Sequence, residues 1–186
     1  LYATHIRGER ETILEAVTEA IQIGREAGVP VQISHNAPKF GAPDDATANL
    51  RLVEEARARG QDVTVDNDLH TDLGPPLTGG LPQDVQERPS AEIVALLQNP
   101  ETRRQIREEI VADRRPAFGP AGLLKHGQWQ RITLLHAPHS PEVKGQTVAT
   151  IAHERGCDPF DAYFDLIVEN GHEAEAIFDY IDEENI

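Results

Sequence analysis

Methionine is absent from all 186 residues, cysteine and tryptophan occur once each, and aromatic residues make up only 5%. The single Cys157 excludes an intrachain disulfide as a source of stability. No apolar run is long enough to cross a bilayer, and no segment has the layout of a secretory leader, so the cytoplasm is the expected location. Neither a P-loop nor a Gly-x-Gly-x-x-Gly run occurs, which leaves nucleotide binding without support. Positive charge is scarce too: 17 Lys and Arg stand against 32 Asp and Glu, for a net charge of −15. Phosphate backbones and anionic bilayers need a basic face, so neither nucleic acid nor membrane is an expected partner. The acidity itself reads as solubility. The chain opens on Leu1-Tyr-Ala-Thr-His5, which looks like the end of a strand. Together with the missing methionine, this predicts an internal piece of a longer protein.

What is present has a regular rhythm. Tyr2 to Arg7 starts as a strand. Ile13, Leu14, Val17, Ala20, Ile21 and Gly24 fall on one face of a helix predicted over residues 9–27, with Glu9 and Glu11 near its positive end and Gly28 as its stop. Val29 to Ser34 is a β-branched strand. After a proline-containing loop, Asp44 or Asp45 can cap a second helix running through Leu50, Leu52, Val53 and Ala56 to Gly60. Asp62 to Asp66 is a third strand. This β-α-β-α-β order predicts an α/β fold with a parallel sheet and right-handed crossovers. Three stretches are expected in one domain: residues 1–70 as the β-α-β-α-β segment, 71–130 as a Gly/Pro-rich loop with a helical insertion, and 131–186 as a strand (131–135) with closing helices. Within the later stretches helices are predicted near 90–97, 100–112, 147–155 and 159–170.

Chemistry concentrates at the ends of the predicted strands. His5 and His35 each end a strand and lie one strand–helix–strand unit apart. In parallel α/β folds, ligands bind at the carboxyl edge of the strands. Imidazole is the commonest metal ligand, so the pair is a candidate metal site; two hydrogen-bonded strand-end histidines are the plainer alternative. Two ligands are also fewer than the three a catalytic zinc usually takes from protein. Arg7 would share a side with His5 if the strand stays extended, and could clamp a carboxylate; an ion pair with Glu9 or Glu11 competes. Lys39 could serve as a point charge or be a solvated loop residue. Asp66, Asp68 and His70 alternate at the end of the third strand, suited to a metal or to proton transfer, or merely to capping a turn. His136 and His139 read as surface histidines of a loop.

Tyr2-x-Thr-His-Ile-Arg7, Ile23-Gly-Arg-Glu-Ala-Gly28 and Val29-Pro-Val-Gln-Ile-Ser-His35 resemble the D-aminoacylase (N-acyl-D-amino-acid deacylase) branch of the amidohydrolase superfamily. Asp62 to Asp66 continues the likeness, and the segments 143–148, 151–156 and Asp158-Pro159 resemble it more loosely. The resemblance implies a partial (β/α)8 metal-dependent hydrolase barrel, from strand five to the helical region before strand eight. It implies one or two zinc ions, with His5 and His35 as the strand-five and strand-six ligands. The substrate it implies is a small N-acyl amino acid, hydrolysed by metal-activated water. Arg7, Lys39, Asp68 and His70 take the substrate-facing positions. No catalytic residue is expected in this chain, since the family's His-x-His, its bridging ligand and its aspartate base match no segment here. The chain alone is therefore expected to be inactive.

Two departures bear on specificity. The family's Tyr-Pro-Tyr reads Asp68-Leu69-His70, and its lysine two residues beyond the second histidine reads Ala37, with Lys39 further on. A cyclic amide or ureido substrate, and a divergent barrel used only for binding, therefore stand as the alternatives. Oligomeric state is left open.

Overall fold

The computed structural model describes residues 1–40, 42, 46–112 and 120–185. The predicted caps Asp44 and Asp45 lie outside the described residues. The chain divides into two compact units, Leu1–Thr71 with Ile181–Ile186, and Asp72–Tyr180.

In the first unit the chain runs β1 (Tyr2–His5), α1 (Ile13–Ala27), β2 (Val31–Ser34), α2 (Ala46–Ala58) and β3 (Val63–Val65). The strands lie in the order β1-β2-β3 and all pair in parallel, as the strand–helix rhythm predicts. β2 buries Val31 and Ile33, its β-branched positions, and these join Ile13, Val17, Ile21, Val53 and Val63 in one core. Each such side chain taken out of water contributes about 1.5–3 kcal/mol. α1 begins later than predicted, at Ile13, because residues 9–12 turn before it. It ends where predicted: Gly28 takes a left-handed conformation (φ 65°), and the Val29 N–H bonds the Gly24 carbonyl at 3.0 Å. In α2, Leu50 was expected on the buried face but is exposed, and Asn49 is buried in its place. Asn49 Nδ2 donates to the Asn36 carbonyl at 3.0 Å, tying α2 to the loop after β2.

The second unit is built differently. β4 (Asp72–Leu73), α3 (Gln83–Gln86), α4 (Ser90–Gln98), α5 (Pro100–Ala112), α6 (Ala121–Lys125), β5 (Ile132–His136), α7 (Val148–Arg155), α8 (Pro159–Asn170) and β6 (Glu175–Asp179) follow in order. β4, β6 and β5 make an antiparallel sheet with β6 in the centre. α4, α5, α7 and α8 match the predicted spans closely, while the short α3 and α6 fall in stretches expected to be irregular. α7 is capped by Thr147, which accepts from the Thr150 N–H, and α8 by Asp158, which accepts from Phe160. Trp129 packs edge-on against Phe160 at 4.6 Å, and the buried Tyr163 hydroxyl donates to the Leu77 carbonyl. β6 is a strand the sequence reading did not include, and with it residues 131–186 are more than a strand with helices. His136 is the last residue of β5 and not a loop residue, although it is exposed as expected. The α/β class holds, but the described residues form three parallel strands and a separate antiparallel sheet, not a closed barrel. No helix among the described residues is long and apolar enough to cross a membrane.

Gly24 sets how closely α1 meets β2. A Cβ there would sit 2.0 Å from Val31 Cγ2 and 3.1 Å from the Val29 carbonyl. Gly24→Ala should therefore lower stability by about 1–3 kcal/mol through overpacking. The roughly 1 kcal/mol that alanine gains in a helix interior would offset only part of this. Urea unfolding measures it, and an unchanged or higher midpoint would refute this account of the contact.

Candidate functional site

The parallel register places the two histidines together. His5 pairs with Ser34 across β1 and β2, so His35 begins one residue beyond the paired strand end. The ring centroids lie 5.5 Å apart, tilted by 59°. Both side chains are about half exposed, at 50% and 45%.

His35 is held in an unusual backbone conformation. Its φ is 57°, the one positive value among the described non-glycine residues. A left-handed conformation costs a residue with a Cβ roughly 1–2 kcal/mol, so something must hold it. Asp66 does: its carboxylate accepts from the His35 N–H at 3.0 Å, from Gln32 Nε2 at 2.8 Å and from Ser34 Oγ at 3.3 Å. The Asp66 carbonyl also accepts from the Asn36 N–H at 2.9 Å. The His35 amide bond holds this carboxyl below the usual carboxylate range, reinforced by the two side-chain donors. Asp66 thus shapes the turn that carries His35 and, with its oxygens so engaged, is not placed as a metal ligand.

Around the imidazoles lies a charged cluster. Glu9 Oε1 stands 3.5 Å from His5 Nε2, and Asp68 Oδ1 stands 3.4 Å from His35 Nδ1. Each ring therefore turns one nitrogen toward a carboxylate and directs the other, His5 Nδ1 or His35 Nε2, away from it. Lys39 Nζ lies between the two acids, 3.8 Å from Glu9 and 3.9 Å from Asp68. The Lys39 N–H also donates to the Glu9 carbonyl at 2.8 Å. Burial pushes the Glu9 carboxyl up, opposed by Lys39 and both histidines. Burial likewise pushes the Lys39 ammonium down, opposed by Glu9 and Asp68.

The remaining predicted residues divide. Asp68 is in the cluster. Lys39 is there too, but buried at 2% exposure, so neither a solvated loop lysine nor an accessible clamp describes it. Arg7 is not: β1 ends at His5, so the extended geometry that would have aligned them is missing. Its guanidinium instead makes a two-pronged pair with Glu19 of α1, not with Glu9 or Glu11 (Nε–Oε2 2.9 Å). His70 is exposed. Glu9 is the residue the sequence reading misplaced, as a helix-start acid. Its position four residues beyond a strand-end histidine was the available signal.

As metal ligands, His5 and His35 suit each other: two imidazoles on adjacent strand ends, each with a carboxylate beside its far nitrogen. Among the described residues no group of three or more His, Cys, Asp or Glu is placed to hold an ion. The pair fits as part of a ligand set and not as a whole one.

Comparison with known proteins defines the class first. No family model matches the chain. The N-acyl-D-glutamate deacylase of Bordetella bronchiseptica, solved with zinc and a phosphonate inhibitor, superposes on all of this chain. The TM-score is 0.58 at 22% identity, over 29% of that protein's chain. The fold is thus that of a segment of this deacylase structure. More specifically, 70 residues, 36% of the chain, are 47% identical to the D-aminoacylase of Alcaligenes xylosoxydans xylosoxydans. A solved D-aminoacylase described as defining a novel subset of amidohydrolases matches 99% of the chain at 26% identity, with a TM-score of 0.53. The similarity is therefore to the D-aminoacylase branch of the amidohydrolases, as the strand-end motifs suggest. The chain spans 14% of the Alcaligenes protein and 28% of the solved D-aminoacylase.

Asp66 supplies a test of how His35 is held. Asp66→Ala should raise hydrogen exchange at the His35 amide by about tenfold, the scale of one hydrogen bond to a charged group. A carboxyl lowered in the folded state stabilises above its unfolded value of about 3.9 and loses that contribution as pH falls through the lower, folded value. Acid should therefore release the His35 amide in the parent chain below about pH 3.9, and change it little in the variant. Equal protection in both at neutral pH would remove Asp66 from this role.

Proposed function

We propose that this chain is part of a zinc-dependent amidohydrolase that hydrolyses the amide bond of N-acyl-D-amino acids. Its β1, β2 and β3 would be strands five to seven of a (β/α)8 barrel, and His5 and His35 two of the metal ligands. The observation that carries the reading is the imidazole pair, 5.5 Å between ring centroids, at the carboxyl edge of adjacent parallel strands. The local 47% identity to a D-aminoacylase supports it, as does the binuclear metal centre of a solved D-aminoacylase with 26% identity.

The chemistry such an ion supplies is activation of water at neutral pH and polarisation of the amide carbonyl. This chain's own part is to present two nitrogen donors at fixed positions. Asp66 sets the backbone of His35, while Glu9 and Asp68 stand against the ring nitrogens. His70, exposed at the end of the same segment, is the substrate-facing residue of the proposal. The general base and further ligands would come from outside this chain, and the chain alone would not turn over substrate.

A second reading has one observation in its favour. Arg7 is occupied by Glu19 and Lys39 is buried between two acids, so neither predicted cation is presented to a substrate carboxylate. A cyclic amide or ureido substrate would need no such clamp.

In a longer protein containing this chain, His5→Ala and His35→Ala should each reduce zinc content. Each should cut kcat/KM by more than the 10–100-fold typical of lost outer-shell partners. Assays should pair N-acyl-D-amino acids with hydantoins, which carry no carboxylate. Turnover of hydantoins alone would select the second reading. No bound zinc and no effect of either substitution would leave a binding barrel without catalysis.

A further inference from the structure

The Glu9–Lys39–Asp68 cluster is more heavily buried than a substrate-binding group needs to be. Lys39 and Glu9 have side chains 2% and 7% exposed, and Asp68 26%. The lysine reaches both of the carboxylates that approach an imidazole. We propose that Lys39 is a positioning residue: a buried ammonium that holds Glu9 against His5 and Asp68 against His35, coupling the orientation of the two rings.

Three observations converge on this. First, the two acids belong to different loops, one after β1 and one after β3, and Lys39 comes from a third, after β2. A single cation between them ties the three strand ends together. Second, the backbone repeats the link, since the Lys39 N–H donates to the Glu9 carbonyl at 2.8 Å. Third, without a cation between them the two carboxylates repel and would move apart. That movement withdraws a carboxylate from its imidazole. Carboxylates beside ligating histidines hold the ring plane and tautomer, and their loss typically weakens metal binding 10–100-fold. Swinging Lys39 outward to meet a substrate carboxylate would strand Glu9 as a buried, uncompensated charge. The same residue therefore cannot serve as strut and clamp at once. Its purpose rests on the proposed metal site, but its geometry does not.

The test uses a longer protein containing this chain, with 15N-labelled histidine, observed without metal and then titrated with Zn²⁺ alone. Glu9→Gln should shift the ring nitrogens of His5 and leave those of His35 in place. Asp68→Asn should do the reverse. Lys39→Met should move both rings, with circular dichroism retained. Each variant should weaken Zn²⁺ binding by about 10–100-fold. A role confined to general stability would not produce this residue-by-residue pattern. A folded Lys39→Met chain with both sets of ring signals unchanged overturns the proposal. If Lys39→Met does not fold, the other two variants decide it: ring signals indifferent to Glu9→Gln and Asp68→Asn overturn it equally. Ring shifts as expected in a longer protein that binds no Zn²⁺ would keep the strut and sink the metal reading. Zn²⁺ binding abolished by His5→Ala, with rings indifferent to the other three substitutions, would do the opposite.

Discussion

Everything at the histidine edge depends on the register between β1 and β2. Successive strand residues point to opposite faces, so a slip of one residue would exchange every buried side chain for an exposed one. Val31 and Ile33 are completely buried, while Gln32 and Ser34 alternate with them and are half-buried. That alternation leaves the pairing His5↔Ser34 as the register that keeps the core of the unit dry. Gly24 reinforces it, because α1 lies directly against Val31 and admits no shift of the strand beneath it. The separation of the two imidazoles is thus set by apolar packing on the other side of the sheet, which also makes it insensitive to what the polar edge carries.

The polar edge adds orientation to that spacing. β2 stops at Ser34, and the chain turns at once through a left-handed residue, an arrangement usually given to glycine or asparagine. Placing a histidine there turns its side chain away from the strand's alternation and toward β1. Asp66 compensates by holding the His35 amide, and β3 reaches the right depth to supply it because Ile33 and Val65 are paired. Backbone strain at a residue over-determined by its neighbours often accompanies a functional site. Here that pattern agrees with an independent one, a carboxylate beside each imidazole, and neither alone would say as much.

The sequence made the scaffold legible and the cluster much less so. β-branched runs near glycine or proline located β2 and β3, a strand-like opening located β1, and the 3.6-residue spacing located α1, because these signals are local. The histidine pair followed from their order. Glu9 did not, since an acid near a predicted helix start has an ordinary explanation, and only the turn before Ile13 brings it back to His5. Lys39 likewise looked like a loop lysine; its burial depends on contacts with residues 9 and 68, far away in sequence. β6 is a different failure. Ala174, Ala176 and Phe178 are buried with period two, a signal present in the chain, but its partners β4 and β5 lie about a hundred and about forty residues earlier. Leu50 shows the limit of periodicity on α2, where a buried position went to Asn49, whose Nδ2 donates to both the carbonyl and the side-chain oxygen of Asn36.

Charge at this edge is balanced locally. Lys39 stands between Glu9 and Asp68, Arg7 is engaged by Glu19, and Asp66 is occupied by three donors from β2 and its turn. What the edge then presents outward is two half-exposed imidazoles over a layer of charges engaged with one another. A group committed to a neighbour has little left for a ligand. The loops after β1, β2 and β3 fix the two imidazoles, and Leu69 and His70 stand exposed just beyond Asp68. Of Asp68-Leu69-His70, the first has joined the charges beside the imidazoles, and the other two are exposed to solvent.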